Sequence, residues 1–197
     1  MKNFILEMEE YANLHNVPII EKESIAFIMK YIKANNIKSV LEIGSAIGYS
    51  AILMASATQD VVVTTIERDE NRYMECLKNV KKCGLDKKIN VFYQDALEVN
   101  LNNVEYDLIF IDAAKGQYKK FFEKFKYFLA KDGAIITDNL KFHGYVGKAD
   151  SIESKNLKSL VQKIEGYIEF LKDNKEFDTK FYDIGDGLSV SKRKDEK

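Results

Sequence analysis

Two short stretches of this chain set acidic, amide and basic side chains at spacings that can do chemistry. Asp112-Ala113-Ala114-Lys115 places a carboxylate three residues ahead of an amine, and Asp138-Asn139 places a second carboxylate beside an amide. Two carboxylates and an amide oxygen make a hard, oxygen-only half shell. Such a set suits Mg²⁺, Mn²⁺ or Ca²⁺, not zinc, which prefers nitrogen and sulfur. The open positions of an octahedron are left for water and two substrate oxygens. A cation held there lowers the pKa of a bound hydroxyl and pins the resulting oxyanion. Lys115, beside that cation, is placed to act as general base.

A second group has the marks of a nucleoside site. Glu42-Ile43-Gly44-Ser45-Ala46-Ile47-Gly48-Tyr49-Ser50 has two glycines that let a backbone turn tightly against a ligand. Ala46 stands where a dinucleotide fingerprint needs glycine, and no Gly-Lys-Ser/Thr marks a P-loop. The loop therefore suits a nucleoside without phosphate. Glu67 can accept from both ribose hydroxyls, and Asp95 of Gln94-Asp95-Ala96 can accept from an adenine amino group. Singly, each reads as a solvated carboxylate; in order at three strand ends they read as a site.

The elements that must position these groups follow from periodicity. Apolar, β-branched runs occur at Val40–Ile43, Val61–Ile66, Ile89–Tyr93, Leu108–Ile111 and Ala134–Thr137, with stretches between them of crossover-helix length. Alternating β and α predicts a Rossmann-like, doubly wound α/β sheet with helices on both faces. Phe4, Ile5, Met8 and Tyr11, then Ile25, Ile28, Met29 and Ile32, mark two leading helices. A long amphipathic stripe from Ile152 to Leu171 is read with Ser151 as its N-cap. The last two runs, around Gly185-Asp186-Gly187, read as an antiparallel hairpin that brings the sheet to seven strands. One domain over 1–197 is expected, with residues 1–36 over the site and a frayed tail at 192–197.

Composition narrows the function. With 30 basic and 31 acidic side chains the net charge is −1, which excludes a uniformly basic nucleic-acid coat. Lys78, Lys81, Lys82, Lys87 and Lys88, and Lys115, Lys119, Lys120, Lys124 and Lys126, cluster locally and read first as solvated helix faces. Two cysteines, Cys76 and Cys83, exclude a disulfide framework and read as packing. His15 and His143 lack the neighbours of a zinc site; His143, among glycines, reads as a wall or lid. No apolar run spans a membrane and no leader is legible, so a cytoplasmic protein is expected.

From Tyr11 to Ser191 the sequence resembles the S-adenosylmethionine-dependent methyltransferases. Glu42-x-Gly44-x-x-x-Gly48 matches their first motif, Glu67 their ribose-binding acid and Asp95-Ala96 their adenine motif. The resemblance implies a cofactor held by Glu42, Gly44, Ser45, Gly48, Ser50, Glu67, Asp95, Ala96 and Asp112. Asp112, Lys115, Asp138 and Asn139 are similar to the metal-dependent O-methyltransferases typified by catechol and caffeoyl-CoA enzymes. This implies Asp112, Asp138 and Asn139 as ligands of Mg²⁺ or a similar ion, and Lys115 as base. Glu10-Tyr11-Ala12 and Val17-Pro18-Ile19 match the family's N-terminal segment, which lines the active site. Ala114 departs from the Asp-Ala-Asp-Lys of many small-molecule members. Asp112–Tyr118 and Thr137–Gly144 most resemble bacterial tRNA 5-hydroxyuridine methyltransferases, which implies a tRNA substrate and, with it, a homodimer that pools two modest basic patches. The rival expectations are a small catechol-like diol as acceptor, an NAD-dependent oxidoreductase, and a non-catalytic nucleoside-binding domain.

Overall fold

The apolar runs become strands, in a computed structural model that describes residues 2–102 and 104–195. They are β1 (Ser39–Ile43), β2 (Val62–Glu67), β3 (Ile89–Tyr93), β4 (Tyr106–Ile111), β5 (Leu129–Thr137), β6 (Phe177–Tyr182) and β7 (Leu188–Arg193). One seven-stranded sheet runs β3-β2-β1-β4-β5-β7-β6. β1 to β5 are parallel, and β7 lies antiparallel between β5 and β6, as the doubly wound reading with a closing hairpin requires. The two rims are β3 and β6.

Side-chain alternation splits the core into two layers. Val40, Val63, Leu108, Phe110 and Ile136 pack against α1 (Lys2–Leu14), α2 (Lys22–Ala34), α3 (Tyr49–Ala55) and α4 (Glu70–Lys82). Leu41, Ile43, Ile109, Ile111 and Ile135 pack against α5 (Tyr118–Phe125) and α6 (Lys155–Lys172). Both faces of the central strands are covered, which explains why these runs are uninterrupted by charged residues except at Glu42.

Three local expectations need correction. α6 is capped by Ser154, whose hydroxyl accepts from Leu157 N at 3.4 Å. Ser151 instead closes a 3-10 turn and donates to the Lys148 carbonyl, and Ile152 lies outside the helix because its backbone is already extended. Among its described residues the β3–β4 connection has no helix: one turn, held by Glu98 N and Val99 N on the Asp95 carbonyl, buries Val99 and Leu101 directly. Finally, Lys192 and Arg193 are not frayed. Lys192 pairs with Ala134 and Asp178 in β7, and Arg193 donates to the Lys126 carbonyl while lying 5.1 Å from the centre of the Phe177 ring. Residues 196–197 of that tail lie outside the described residues.

Glu42 sits on the same side of β1 as Val40 and is fully buried, with Thr65 Oγ1 donating to its carboxylate. Burial dominates over the Thr65 and Ser50 hydroxyls and lifts its pKa from 4.5 to about 7. A folded-state pKa above the unfolded one makes this group's contribution to stability complete below pH 4.5 and lost as pH rises to about 7. Glu42→Gln should remove that loss. In urea titrations the variant should be more stable than the parent by on the order of 3 kcal/mol at pH 8, with the gap closing near pH 4. A gap independent of pH would show that Glu42 is not buried as a neutral acid.

Candidate active site

Parallel register brings the carboxyl ends of five strands level. Beyond the last paired residues the ladder continues through Gly44 N to Ile66 O, Asp112 N to Ile43 O, Asp138 N to Ile111 O and Gln94 N to Glu67 O. A cavity of about 690 Å³ opens over these ends, where an open α/β sheet takes its ligands. Gly44–Ala46, Ser50, Glu67, Asp95, Ala96, Asp112, Lys115 and Asn139 all line it.

The loop after β1 differs in detail from its expected role. A Cβ on Gly44 would lie 2.4 Å from the Asp112 carbonyl oxygen, and one on Gly48 would lie 2.8 Å from Cys76 Sγ. Both glycines have positive φ, +95° and +85°. Their bareness is needed for protein against protein, β1 on β4 and the α3 start on α4. Neither Gly48 nor Glu42 lines the cavity; they support the loop from below. Cys76 is the spacer under Gly48, and burial pushes its thiol up to about 12.

Glu67 is 7 % exposed and already oriented: Ala46 N donates to one carboxylate oxygen at 2.9 Å, Arg68 N and Asp69 N to the other. Oε2, with one donor, keeps a lone pair for a further one, such as a ribose hydroxyl. Asp95 accepts from Leu97 N at 2.8 Å and leaves its other oxygen beside the Arg68 guanidinium. Tyr49 lines the cavity as well as the core, with its hydroxyl donating to Glu9.

Asp112, Asp138 and Asn139 meet. Ile111 and Thr137 are register partners, so the next residues of β4 and β5 stand side by side. Asn139 Nδ2 donates to Asp112 Oδ1 at 3.3 Å and to Asp138 Oδ2 at 3.2 Å. Asn139 reaches both because its φ is +64°, a left-handed conformation that asparagine tolerates. Burial raises the pKa of both carboxylates, and the Asp112 charge raises Asp138 further; Lys115 and Asn139 oppose the rise. Two desolvated carboxylates in mutual repulsion are what a hard cation relieves. The donor set fits one: two carboxylates plus the Asn139 amide, which presents Oδ1 after a half-turn. Among the described residues no third acid, histidine or cysteine joins them. Any such ion is held by the strand ends alone.

Lys115 begins a 3-10 turn ahead of α5, and its Nζ lies 5.7 Å from the centre of the Phe142 ring across the cavity. Phe142 and His143 form the opposite wall, and both have left-handed backbones, φ +46° and +54°. Asp186 of the hairpin turn holds them: it is 6 % exposed and accepts from His143 N at 2.6 Å. Of the N-terminal segment, Pro18–Glu21 line the cavity. Tyr11 and Ala12 do not; Ala12 is buried in the core and Tyr11 stacks on His15. The sequence assigns no site role to Ser24, Tyr118 or Asp186. Ser24 and Tyr118 both reach Asp138, through its carboxylate and its carbonyl.

The lysine clusters are largely engaged at home. Lys82 pairs with Glu7, Lys78 with Glu75, and Lys88 donates to the Ala55 and Thr58 carbonyls. Lys126 is 5 % exposed between Glu123 and Glu176, and Lys124 donates to the Val99 carbonyl. No helix among the described residues is long and apolar enough to cross a membrane.

Similarity to known proteins agrees with this geometry. Residues 4–194 match the model of a family described as O-methyltransferase. Tapetum-specific methyltransferase 1 of Arabidopsis thaliana is 29% identical over 94% of this chain and 82% of its own length. Caffeoyl-CoA O-methyltransferase of Populus kitakamiensis is 28% identical over 90% and 78%. A Staphylococcus aureus structure, named "a putative caffeoyl-CoA O-methyltransferase", superposes with a TM-score of 0.92 at 38% identity, covering 96% of this chain and 92% of that one. An O-methyltransferase from Bacillus cereus in complex with SAH shares the fold, with a TM-score of 0.82 at 22% identity over 98% and 91%. A loop and strand-end carboxylates set for a nucleoside, together with a family match over nearly the whole length, place this chain in the O-methyltransferase family, as an S-adenosylmethionine-dependent enzyme.

Proposed function

We propose that the enzyme moves a methyl group from S-adenosylmethionine to one hydroxyl of a small aromatic vicinal diol held on a divalent cation. The observation that carries this reading is the meeting of Asp112 and Asn139, which line the same cavity as the Gly44 loop, with Asp138, buried directly behind them and bonded to Asn139. Gly44, Ser45 and Ser50 would seat the cofactor from the loop, Glu67 its ribose, and Asp95 with Ala96 its adenine. Asp112, Asp138 and Asn139 would hold Mg²⁺ or a similar ion. A bound ion of this kind supplies Lewis acidity, lowering a hydroxyl's pKa and fixing the oxyanion.

The chain's own residues then divide the work. Lys115 Nζ stands at the cavity wall and takes the hydroxyl proton as general base. Phe142 faces Lys115 and offers an aromatic surface for the acceptor ring. Pro18–Glu21 close the near side and exclude water. Relatives named for caffeoyl-CoA support a small phenolic acceptor.

A second acceptor, 5-hydroxyuridine at the tRNA wobble position, is kept for one observation. Ala114 is exposed on the cavity rim and leaves the entrance open where an acidic side chain would crowd a polyanion. The engaged lysines weigh against a broad phosphate footprint.

Lys115→Ala should lower kcat by about 10²-fold or more while leaving the cofactor Kd within about twofold; equal loss in both would remove its role as base. Excess EDTA should abolish methyl transfer, and added Mg²⁺ should restore it; full activity in EDTA would eliminate the cation. Tritiated methyl transfer should label catechol or 3,4-dihydroxybenzoate and leave unmodified tRNA unlabelled. Label in tRNA alone would reverse the order of the two acceptors.

A further inference from the structure

The hydroxyl of Ser24 is 0 % exposed, on the first turn of α2, and donates to Asp138 Oδ1 at 3.2 Å across 114 residues of sequence. It has no freedom to turn away. A Cβ on Gly185 of the hairpin turn would lie 2.3 Å from Ser24 Oγ and 3.0 Å from Glu21 Oε2, so the turn is pressed onto the start of α2 from the other side. Gly185 holds φ +53° there. Two oxygens of Asp138 thus have different surroundings: Oδ1 faces the Ser24 hydroxyl, and Oδ2 faces Asn139 Nδ2 at 3.2 Å, on the Asp112 side.

We propose that Ser24 is a positioning residue for the cation site, fixing the Asp138 carboxylate so that Oδ2 points at the position shared with Asp112 and Asn139. This rests on the reading of those three residues as ligands. A hydrogen-bonded partner behind a ligating carboxylate sets its orientation and typically changes metal affinity by about 10–100-fold when removed. Ser24 also lies just beyond Pro18–Glu21, which line the cavity, with Lys22 and Glu23 between. The same hydrogen bond ties the seat of that wall to the carboxylate, so an ion on Asp138 and an ordered 18–24 segment support each other.

The test is Mn²⁺ binding to the whole protein, by calorimetry and by loss of the free-ion electron spin resonance signal, without turnover. Ser24→Ala should raise the Mn²⁺ Kd by about 10–100-fold, with the S-adenosylmethionine Kd unchanged. Mn²⁺ should slow amide hydrogen exchange over 18–24 in the parent and not in the variant. Wild-type Mn²⁺ affinity in Ser24→Ala would overturn the proposal. Equal losses of cofactor binding and Tm would also overturn it, by making Ser24 a packing residue only. Absence of Mn²⁺ binding in the parent would instead bring down the ligand reading itself. Should Ser24→Ala fail to fold, Ser24→Cys keeps the shape with a weaker donor and should bind at an intermediate affinity; parental affinity in that variant overturns the role.

Discussion

The whole site depends on one constraint, the level register of β1, β4 and β5. Val40↔Leu108 and Ile111↔Thr137 are partners in one parallel ladder, so the residues after each strand leave the sheet at the same height. Only then do Gly44, Asp112 and Asp138 leave the sheet side by side, with Gly44 and Asp112 at the cavity and Asp138 buried behind them. A one-residue slip would turn a carboxylate from the cavity into the core on the opposite face. The register is enforced where burial is most complete, since Leu108–Ile111 are inaccessible on both faces.

Around that floor the protein places its polar groups under tight control. The Glu67 carboxylate is held by three backbone amides, and Asp186 holds a wall built on two left-handed residues. Such backbones persist only where surroundings fix them, and here the β6–β7 turn does so. Leu140 N and Lys141 N donate to the Gly187 and Asp186 carbonyls, which binds the segment after Asn139 to the same turn. The antiparallel hairpin therefore has a second duty beyond extending the sheet: its tip is part of the site's frame.

Much of this was legible in the residues themselves. Runs such as Leu108–Ile111 announce strands buried on both faces, and acids directly following such runs must stand at strand ends. Asp112, Asp138, Glu67 and Asp95 do stand at or just past the ends of β4, β5, β2 and β3. Glu42 was misjudged as a ligand-facing residue, although alternation from Val40 already put it under α3. Ser24 was beyond reach, because nothing in its neighbours signals a partner 114 positions away. Ser151 and Ser154 compete as caps for one helix, and the choice is made by Ile152, whose extended backbone delays the first turn. Gly44 and Gly48 carry a further constraint that spacing alone does not show, since a Cβ on either would meet Asp112 or Cys76.

The unequal rims of the sheet bear on how the protein behaves when crowded. β6 ends the sheet with Asp178 and Lys180 among its residues, charges that discourage another chain from adding to its free backbone. β3 has no charged residue and leaves Phe92 and Tyr93 40% and 52% exposed, with the Tyr73 ring stacked on Tyr93. Colloidal sensitivity is thus one-sided, and a single lysine grafted onto the β3 rim is a rational route to a more concentrated, better-behaved solution.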